Sequence, residues 1–190
     1  HSGTKYLGGH NDTLAGFLVV SDPGLAEKLV FLSKTIGACL SPFDSWLLIR
    51  GIKTLPLRLE RQQETAMKIA GWLLKQKQVK EVYYPGLSKH PGYEISRKQT
   101  TGFGAMLSFR VDSPKTACHI LERVKIIQYA ESLGGVESLI TYPMLQTHAD
   151  IPEEKRKAKG IDDCLLRLSV GLESASDLIE DLRQALEEGE

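Results

Sequence analysis

A lysine near the start of the chain and an arginine near its end are the residues whose types and surroundings best suit chemistry. Lys5 follows two hydroxyl residues, Ser2 and Thr4, and Arg167 lies in a short apolar run. A lysine amine can bond to a cofactor aldehyde, hydroxyls can bind a phosphate, and an arginine can hold a substrate carboxylate through two parallel hydrogen bonds. The pair suggests a pyridoxal phosphate enzyme. Taken singly, a solvated surface lysine and a structural ion pair are the more common roles.

Further polar candidates lie in the second half of the chain. Ser132 opens the sequence Ser-Leu-Gly-Gly, which is either a simple turn or a loop that presents a hydroxyl and backbone groups to a ligand. His148 can act as a base, although a hydrogen-bonded structural histidine is more common. The three cysteines are widely separated, so we predict neither a disulfide framework nor a metal site, but buried or inert thiols in a reducing compartment.

Composition narrows the choice of partners. The 190 residues hold 24 Lys and Arg against 24 Asp and Glu, so there is no basic surface excess for nucleic acid or for an anionic membrane. No stretch approaches the ~20 apolar residues of a membrane span, and the N-terminus lacks the pattern of a signal peptide. We therefore expect a cytoplasmic protein that acts on small molecules.

The elements that must position these residues divide into two groups. Residues 13–20 are apolar and partly β-branched and predict a buried strand. Asp22 with the following proline predicts the start of one helix, and Ser41 predicts the start of a second. We expect the second helical pattern to kink or break at Pro56.

The remainder of the chain predicts a sheet with helices on one face. Apolar runs indicate strands at 79–84, 103–109, 124–130 and 165–170. Helices are expected from Pro114, across the charged run 152–159, and from a capping box formed by Ser174 and Asp177. We place a boundary near residue 60, with a remnant of an α/β domain in 1–60 and an α+β domain with a mainly antiparallel sheet in 61–190.

Taken in order, seven stretches resemble the cystathionine γ-synthase, γ-lyase and β-lyase family of pyridoxal phosphate enzymes, also called the Cys/Met metabolism family. The resemblance implies a fold-type I enzyme in which residues 1–60 end the cofactor-binding domain. The matching stretches are Ser2-Gly3-Thr4-Lys5-Tyr6 with Gly9-His10-Asn11-Asp12, Ser41-Pro42-Phe43-Asp44, Arg50-Gly51-Ile52-Lys53-Thr54-Leu55, Tyr84-Pro85-Gly86-Leu87, Ser132-Leu133-Gly134-Gly135-Val136-Glu137-Ser138-Leu139, Thr147-His148-Ala149 and Arg167-Leu168-Ser169-Val170-Gly171.

The resemblance also implies roles for individual residues. Lys5 is the Schiff-base lysine, and its amine, once released, takes the proton from the substrate Cα. Ser2 and Thr4 help to hold the phosphate of pyridoxal 5'-phosphate. Arg167 binds the substrate α-carboxylate with help from Ser132.

Glu131, which precedes Ser132, is similar to the pattern of γ-synthases and γ-lyases. A carboxylate near the distal end of the substrate can receive the amino group of cysteine or cystathionine. The expected reaction is therefore γ-replacement of an O-acylhomoserine by cysteine, in methionine biosynthesis. Cystathionine β-lyase or γ-lyase activity is the alternative.

Members of this family are commonly homotetramers, built as dimers of dimers. They also carry an N-terminal half, missing here, with the phosphate loop, the aromatic residue that stacks on the cofactor and the aspartate that pairs with its ring nitrogen. We expect this chain alone to be catalytically weak or dead. A noncatalytic fragment that acts only as a folded assembly domain is the alternative from another class.

Overall fold

The computed structural model describes residues 1–147 and 149–187. The chain forms two compact units, His1–Leu55 and Pro56–Glu190. The sequence pattern places the boundary a few residues later, near residue 60. The second unit begins at Pro56, so this proline marks the boundary between the two units.

The first unit contains a wide π-type turn and two helices. The turn is Gly3–Leu7, and the helices are α1 (Pro23–Ile36) and α2 (Pro42–Lys53). Asp22 accepts a hydrogen bond from the Leu25 amide at 2.6 Å, and Ser41 accepts one from the Asp44 amide at 3.0 Å. Both helices begin where the capping residues predict, each with a proline at its first position.

The predicted buried strand over residues 13–20 is wrong. Within this segment a single β-bridge joins Gly16 to Ser2, and Leu14, Leu18 and Val19 are exposed. Apolar, β-branched residues favour a strand only where a neighbouring strand supplies a hydrogen-bonding ladder. Among the described residues, the backbone pairing of this segment is limited to that bridge and the hydrogen bonds of Ala15 and Phe17 to residues 1–4 beside it.

The second unit is built on a five-stranded sheet in the order β1-β2-β5-β4-β3. The β3–β4 pair is parallel and the other three pairs are antiparallel, as a mainly antiparallel sheet requires. The strands are β1 (Val79–Tyr83), β2 (Met106–Val111), β3 (Gln128–Tyr129), β4 (Leu139–Thr141) and β5 (Leu165–Ser169).

In the described part of this unit, five helices accompany the sheet. The break at Pro56 is confirmed, because α2 ends at Lys53 and a new helix begins at Leu55, where proline is tolerated in the first turn. The capping box at Ser174 is wrong, because its hydroxyl contacts Ser176 Oγ at 2.7 Å instead. The helices are α3 (Leu55–Leu73), α4 (Tyr93–Gln99), α5 (Pro114–Arg123), α6 (Glu153–Ala158) and α7 (Ala175–Leu186).

One face of the central strands is buried in the core. Side chains alternate along β2 and β5, and Phe109 and Leu168 are among those fully buried. Helices α3, α5 and α7 add buried apolar residues such as Ile69, Ile120 and Leu182. The opposite face of β5 carries Arg167, so the sheet holds this side chain away from its apolar core. No helix in the described part of the chain is long and apolar enough to cross a membrane.

Candidate functional site

Lys5 lies in a wide backbone turn. The Gly8 amide donates to the Gly3 carbonyl at 2.9 Å, which closes a five-residue turn, and the Gly9 amide donates to the Lys5 carbonyl at 2.8 Å. Lys5 itself departs from helical geometry, with φ −93° and ψ −131°. Turns of this π type are frequent at functional sites. We call Gly3–Leu7 the lysine turn.

Close backbone contacts hold the lysine turn against α2. A Cβ atom on Gly51 would lie 2.2 Å from the Gly8 carbonyl oxygen, and a Cβ on Gly8 would lie 2.8 Å from the Gly3 oxygen. Neither position has room for a side chain. The glycine of the Arg-Gly sequence in α2 therefore allows the helix backbone to contact the turn that carries Lys5.

The two hydroxyl residues beside Lys5 differ in their surroundings. The Thr4 hydroxyl donates to the Ala15 carbonyl at 3.3 Å and accepts from the Ala15 amide at 3.0 Å. Ser2 is exposed, and its side chain makes no capping hydrogen bond to the turn that follows. Thr4 thus fastens the turn to residue 15, and Ser2 is the more accessible hydroxyl.

Arg167 is held on β5 by two hydrogen bonds from one nitrogen. Its Nη2 donates to Thr141 Oγ1 at 3.1 Å and to the Ser132 carbonyl at 3.2 Å. Its Nε is buried and has no hydrogen-bond partner among the described residues. Burial lowers the pKa of the guanidinium, and the negative charge of Glu131 raises it in part. We call Arg167 with these two partners, Thr141 and Ser132, the arginine clamp.

The loop that supplies Ser132 is fixed from several sides. Ser132 adopts a φ of +95°, which is uncommon for a residue with a side chain. The Gly134 amide donates to Ser169 Oγ at 2.9 Å, and Gln62 Nε2 of α3 donates to the Gly135 carbonyl at 2.7 Å. These bonds join the loop to β5 and α3, so the Ser132 carbonyl is presented to Arg167 by a rigid support.

The structure brings together three of the residues predicted from the sequence, namely Glu131, Ser132 and Arg167, in the second unit. Glu131 is exposed, so its carboxylate is accessible beside the half-buried guanidinium. Ser2, Thr4 and Lys5 belong to the first unit. His148 lies outside the described residues.

Sequence reasoning missed Thr141, Ser169 and Gln62. Thr141 is in β4, a strand of three residues, which is too short for its alternation to be recognised. Ser169 belongs to the predicted last strand, and its partner Gly134 is distant along the chain. Gln62 is a polar residue in an amphipathic helix, where an exposed position is the usual expectation.

The cysteines were predicted to be buried or inert, and two of the three are not buried. Cys39 and Cys118 are exposed, and Cys164 is half-buried. Burial raises the pKa of the Cys164 thiol, which lowers its reactivity. Asp162, Asp163 and Cys164 place possible ligand atoms within 4.8 Å of one another, but Asp162 already pairs with Arg110 and accepts from the Cys164 amide. The Asp162 carboxylate of this cluster therefore already has hydrogen-bond donors within the protein.

Comparison with known proteins gives a consistent result across the chain. The family model for Cys/Met metabolism PLP-dependent enzymes matches residues 1–187. A cystathionine beta-lyase of Lactococcus lactis subsp. cremoris is 51% identical over 187 residues, which are 98% of this chain and 49% of that protein. A cystathionine gamma-lyase of Bacillus subtilis is 50% identical over 187 residues, with the same coverage.

A solved structure of cystathionine gamma synthase from Xanthomonas oryzae pv. oryzae, in complex with cystathionine, superposes with a TM-score of 0.94 and 45% identity. The match covers 98% of this chain and 48% of that one. The chain spans about half the length of the curated relatives it matches.

Proposed function

Since the chain belongs to the Cys/Met metabolism family of pyridoxal phosphate-dependent enzymes, we propose that the whole protein catalyses transsulfuration, with the sulfur of cysteine replacing the acyl group of an O-acylhomoserine. The products of that reaction are cystathionine and a carboxylic acid. Pyridoxal 5'-phosphate is the cofactor of the family. The observation that carries the proposal is the half-buried guanidinium of Arg167, whose buried Nε has no hydrogen-bond partner among the described residues, beside the accessible carboxylate of Glu131.

The lysine turn suits the cofactor in its chemistry. When bound, the cofactor supplies an aldehyde that accepts an amine and a ring that takes up negative charge from the substrate Cα. The half-buried Lys5 is the amine that holds the aldehyde, and the exposed Ser2 hydroxyl is available to the phosphate. Thr4 would share in phosphate binding only by giving up a contact with Ala15, so its first role is to fasten the turn.

Lys5 has a second role once the substrate has displaced it. Its amine then removes the proton from the substrate Cα and returns a proton further along the substrate. A fixed backbone around Lys5 supports this task, because proton transfer requires the amine to stay within hydrogen-bond reach of the atoms it serves. The contact between Gly51 and the Gly8 carbonyl supplies that rigidity from α2.

The arginine clamp accounts for recognition of an amino acid. A buried guanidinium N–H without an acceptor costs about 1–3 kcal/mol, and a carboxylate removes that cost when it binds. Nη2 of Arg167 is already fixed by Thr141 and Ser132, so the guanidinium is oriented before the substrate arrives. We assign the substrate α-carboxylate to the guanidinium of Arg167.

Glu131 supports a substrate with a second amino group. Its negative charge acts on Arg167, so the two groups together complement a molecule that carries a carboxylate at one end and an ammonium group at the other. Cysteine entering as the nucleophile, and cystathionine as the product, both carry such an ammonium group. Cleavage of cystathionine by β- or γ-elimination uses the same recognition and remains the alternative reaction.

Product analysis with the whole protein tests the proposal. We expect cystathionine from an O-acylhomoserine and cysteine. Pyruvate, ammonia and homocysteine from cystathionine would instead identify a β-lyase, and 2-oxobutyrate, ammonia and cysteine would identify a γ-lyase. Absence of all these products from the cofactor-loaded protein would overturn the assignment to transsulfuration.

The first unit exposes an apolar surface that favours assembly. Leu18 and Val19 are exposed in the segment before α1, and α1 buries none of its residues although Val30 and Phe31 are apolar. Exposed apolar surface of this extent marks a contact site. We propose that further polypeptide, equivalent to the remaining half of the relatives, covers it within a cytoplasmic homotetramer built as a dimer of dimers.

The second candidate function, a noncatalytic assembly domain, rests on the same surface. Cofactor binding distinguishes the enzyme from the noncatalytic assembly domain. A characteristic visible absorption band after addition of pyridoxal 5'-phosphate to the whole protein supports the enzyme. Stable oligomers that bind no cofactor support the assembly domain.

A further inference from the structure

Thr141 occupies a buried position between Arg167 and Ala130, the residue before Glu131. Its residue exposure is 1%, and it lies directly opposite Arg167 in the antiparallel pairing of β4 with β5. The Thr141 hydroxyl accepts from Arg167 Nη2 at 3.1 Å and donates to the Ala130 carbonyl at 3.0 Å. One hydroxyl therefore connects the guanidinium to the backbone at residue 130.

The chemistry of the two partners dictates what can stand between them. A guanidinium only donates hydrogen bonds, and a carbonyl only accepts them. The group that joins them must accept on one side and donate on the other, which a hydroxyl does with a single atom. Valine has the same shape as threonine but can do neither, and a carboxylate can only accept.

The connection is one of two that flank Glu131. Arg167 reaches Ala130 through Thr141, and it reaches Ser132 directly, through the carbonyl at 3.2 Å. Both backbone neighbours of Glu131 are thus tied to the guanidinium that its carboxylate influences. The backbone on both sides of Glu131 is thereby held in place relative to the guanidinium.

We propose that Thr141 is a positioning residue that fixes Glu131 relative to Arg167, and so selects amino-acid substrates by the separation of their α-carboxylate and distal ammonium groups. The assignment of those two substrate groups rests on the proposed function. The hydrogen-bonded connection from Arg167 through Thr141 to Ala130, called the tie below, does not rest on the proposed function, because it is a property of the second unit alone. The two parts can therefore fail separately.

Two substitutions at this position separate the hydroxyl from the packing. Thr141→Val keeps the buried volume and removes both hydrogen bonds, whereas Thr141→Ser keeps the hydroxyl and removes a methyl group. Ser108→Ala is a matched control, because Ser108 lies opposite Arg167 on the other neighbouring strand. Among the described residues, Ser108 makes no side-chain hydrogen bond to Arg167.

The kinetic test uses the whole, cofactor-loaded protein. We expect Thr141→Val to raise KM for cysteine or cystathionine on the order of 10-fold, as loss of a hydrogen bond to a charged group predicts, with kcat changed by about 2-fold or less. Thr141→Ser and Ser108→Ala should stay within about 3-fold of the parent KM. A Thr141→Ser protein as impaired as Thr141→Val would overturn the proposal, because the hydroxyl would not be the group that matters.

The second readout needs no turnover. Amide hydrogen exchange of residues 130–135, measured in the whole protein without substrate, should accelerate in Thr141→Val and stay unchanged in Thr141→Ser and Ser108→Ala. If the parent protein lacks transsulfuration activity but this exchange pattern appears, the proposed function fails and the tie stands. If KM and exchange are both unaltered in Thr141→Val, the positioning role is refuted whatever the reaction.

Discussion

Gly51 in α2 lies with its backbone directly against the carbonyl oxygen of Gly8, so close that a Cβ on Gly51 would sit 2.2 Å from that oxygen. We expect Gly51→Ala to destabilise the protein by about 1–3 kcal/mol, since backbone must move to admit the methyl group. The same shift would displace the lysine turn and slow the formation of the cofactor–lysine bond. Thermal or urea unfolding and the rate of cofactor uptake measure both effects.

Gly24→Ala is the control for this substitution. Gly24 lies in the first turn of α1, and the nearest atom to an added Cβ is Asp22 Oδ1 at 3.5 Å, an ordinary contact. The substitution should be neutral or stabilising by about 0.4–1 kcal/mol, because alanine reduces the freedom of the unfolded chain. Equal stability of the Gly51→Ala and Gly24→Ala proteins would contradict the close packing of α2 on the turn.

The elements that could be predicted from the sequence are those whose start depends on residues close together in the chain. Asp22 and Ser41 cap their helices through amides three residues ahead, so the information lies within one turn of chain. The buried strand predicted over residues 13–20 was wrong because the burial of a strand depends on which neighbouring strands pair with it. Thr141 was missed for the same reason, since its contact with Arg167 spans 26 residues of sequence.

Lys5 should be the residue that carries the cofactor. Borohydride reduction of the whole protein after addition of pyridoxal 5'-phosphate should attach the label to Lys5, because Lys5 is half-buried in the lysine turn and the exposed Ser2 lies three residues before it. Peptide mapping by mass spectrometry identifies the labelled lysine. Lys5→Ala should abolish selective labelling, and Lys53→Ala, at the end of α2, should leave it intact. Label distributed evenly over surface lysines would rule out this assignment.

Asp181 should be a major source of stability in the second unit. Its carboxylate, in a residue that is 4% exposed, accepts hydrogen bonds from the amides of Lys125, Ile126 and Ile127 at 2.8, 2.9 and 2.9 Å. Asp181→Asn replaces one acceptor oxygen by an NH2 donor that faces N–H groups. We expect a loss of about 2–3 kcal/mol in the free energy of unfolding, measured by urea denaturation.

Glu180→Gln, on the same helix, is the comparison for Asp181→Asn. Glu180 makes an exposed ion pair with Arg183, and pairs of this kind contribute about 0–1 kcal/mol. A loss at Asp181 no greater than the loss at Glu180 would mean that the three amides find other acceptors in the variant.

Tyr142 should make the second unit sensitive to alkaline pH. Burial raises its pKa from the ordinary value of 10.0 to about 12, with smaller contributions from Cys118 and Asp163. The folded protein therefore favours the neutral phenol, which donates to the Asp163 carbonyl at 2.8 Å. The resulting stability is fully present below pH 10 and is lost as the pH rises through about 12. Unfolding followed as a function of pH measures the loss.

Tyr142→Phe should remove this alkaline phase, at the expense of about 1 kcal/mol at neutral pH for the missing hydrogen bond. Tyr129→Phe, which alters an exposed tyrosine, should retain the phase. Persistence of the full alkaline loss in Tyr142→Phe would assign it to another group.

Glu131→Gln should change the choice of sulfur nucleophile more than the chemistry itself. The proposed role of Glu131 is to receive the amino group of cysteine, so the neutral amide should lower kcat/KM for cysteine on the order of 10-fold. Sulfide carries no amino group, and its rate with the same O-acylhomoserine should be unaffected. The ratio of the two rates, measured on one preparation, cancels any difference in folding or cofactor content. An unchanged ratio would mean that Glu131 acts only on the charge of Arg167, and recognition of the distal amino group would then have to come from elsewhere in the whole protein.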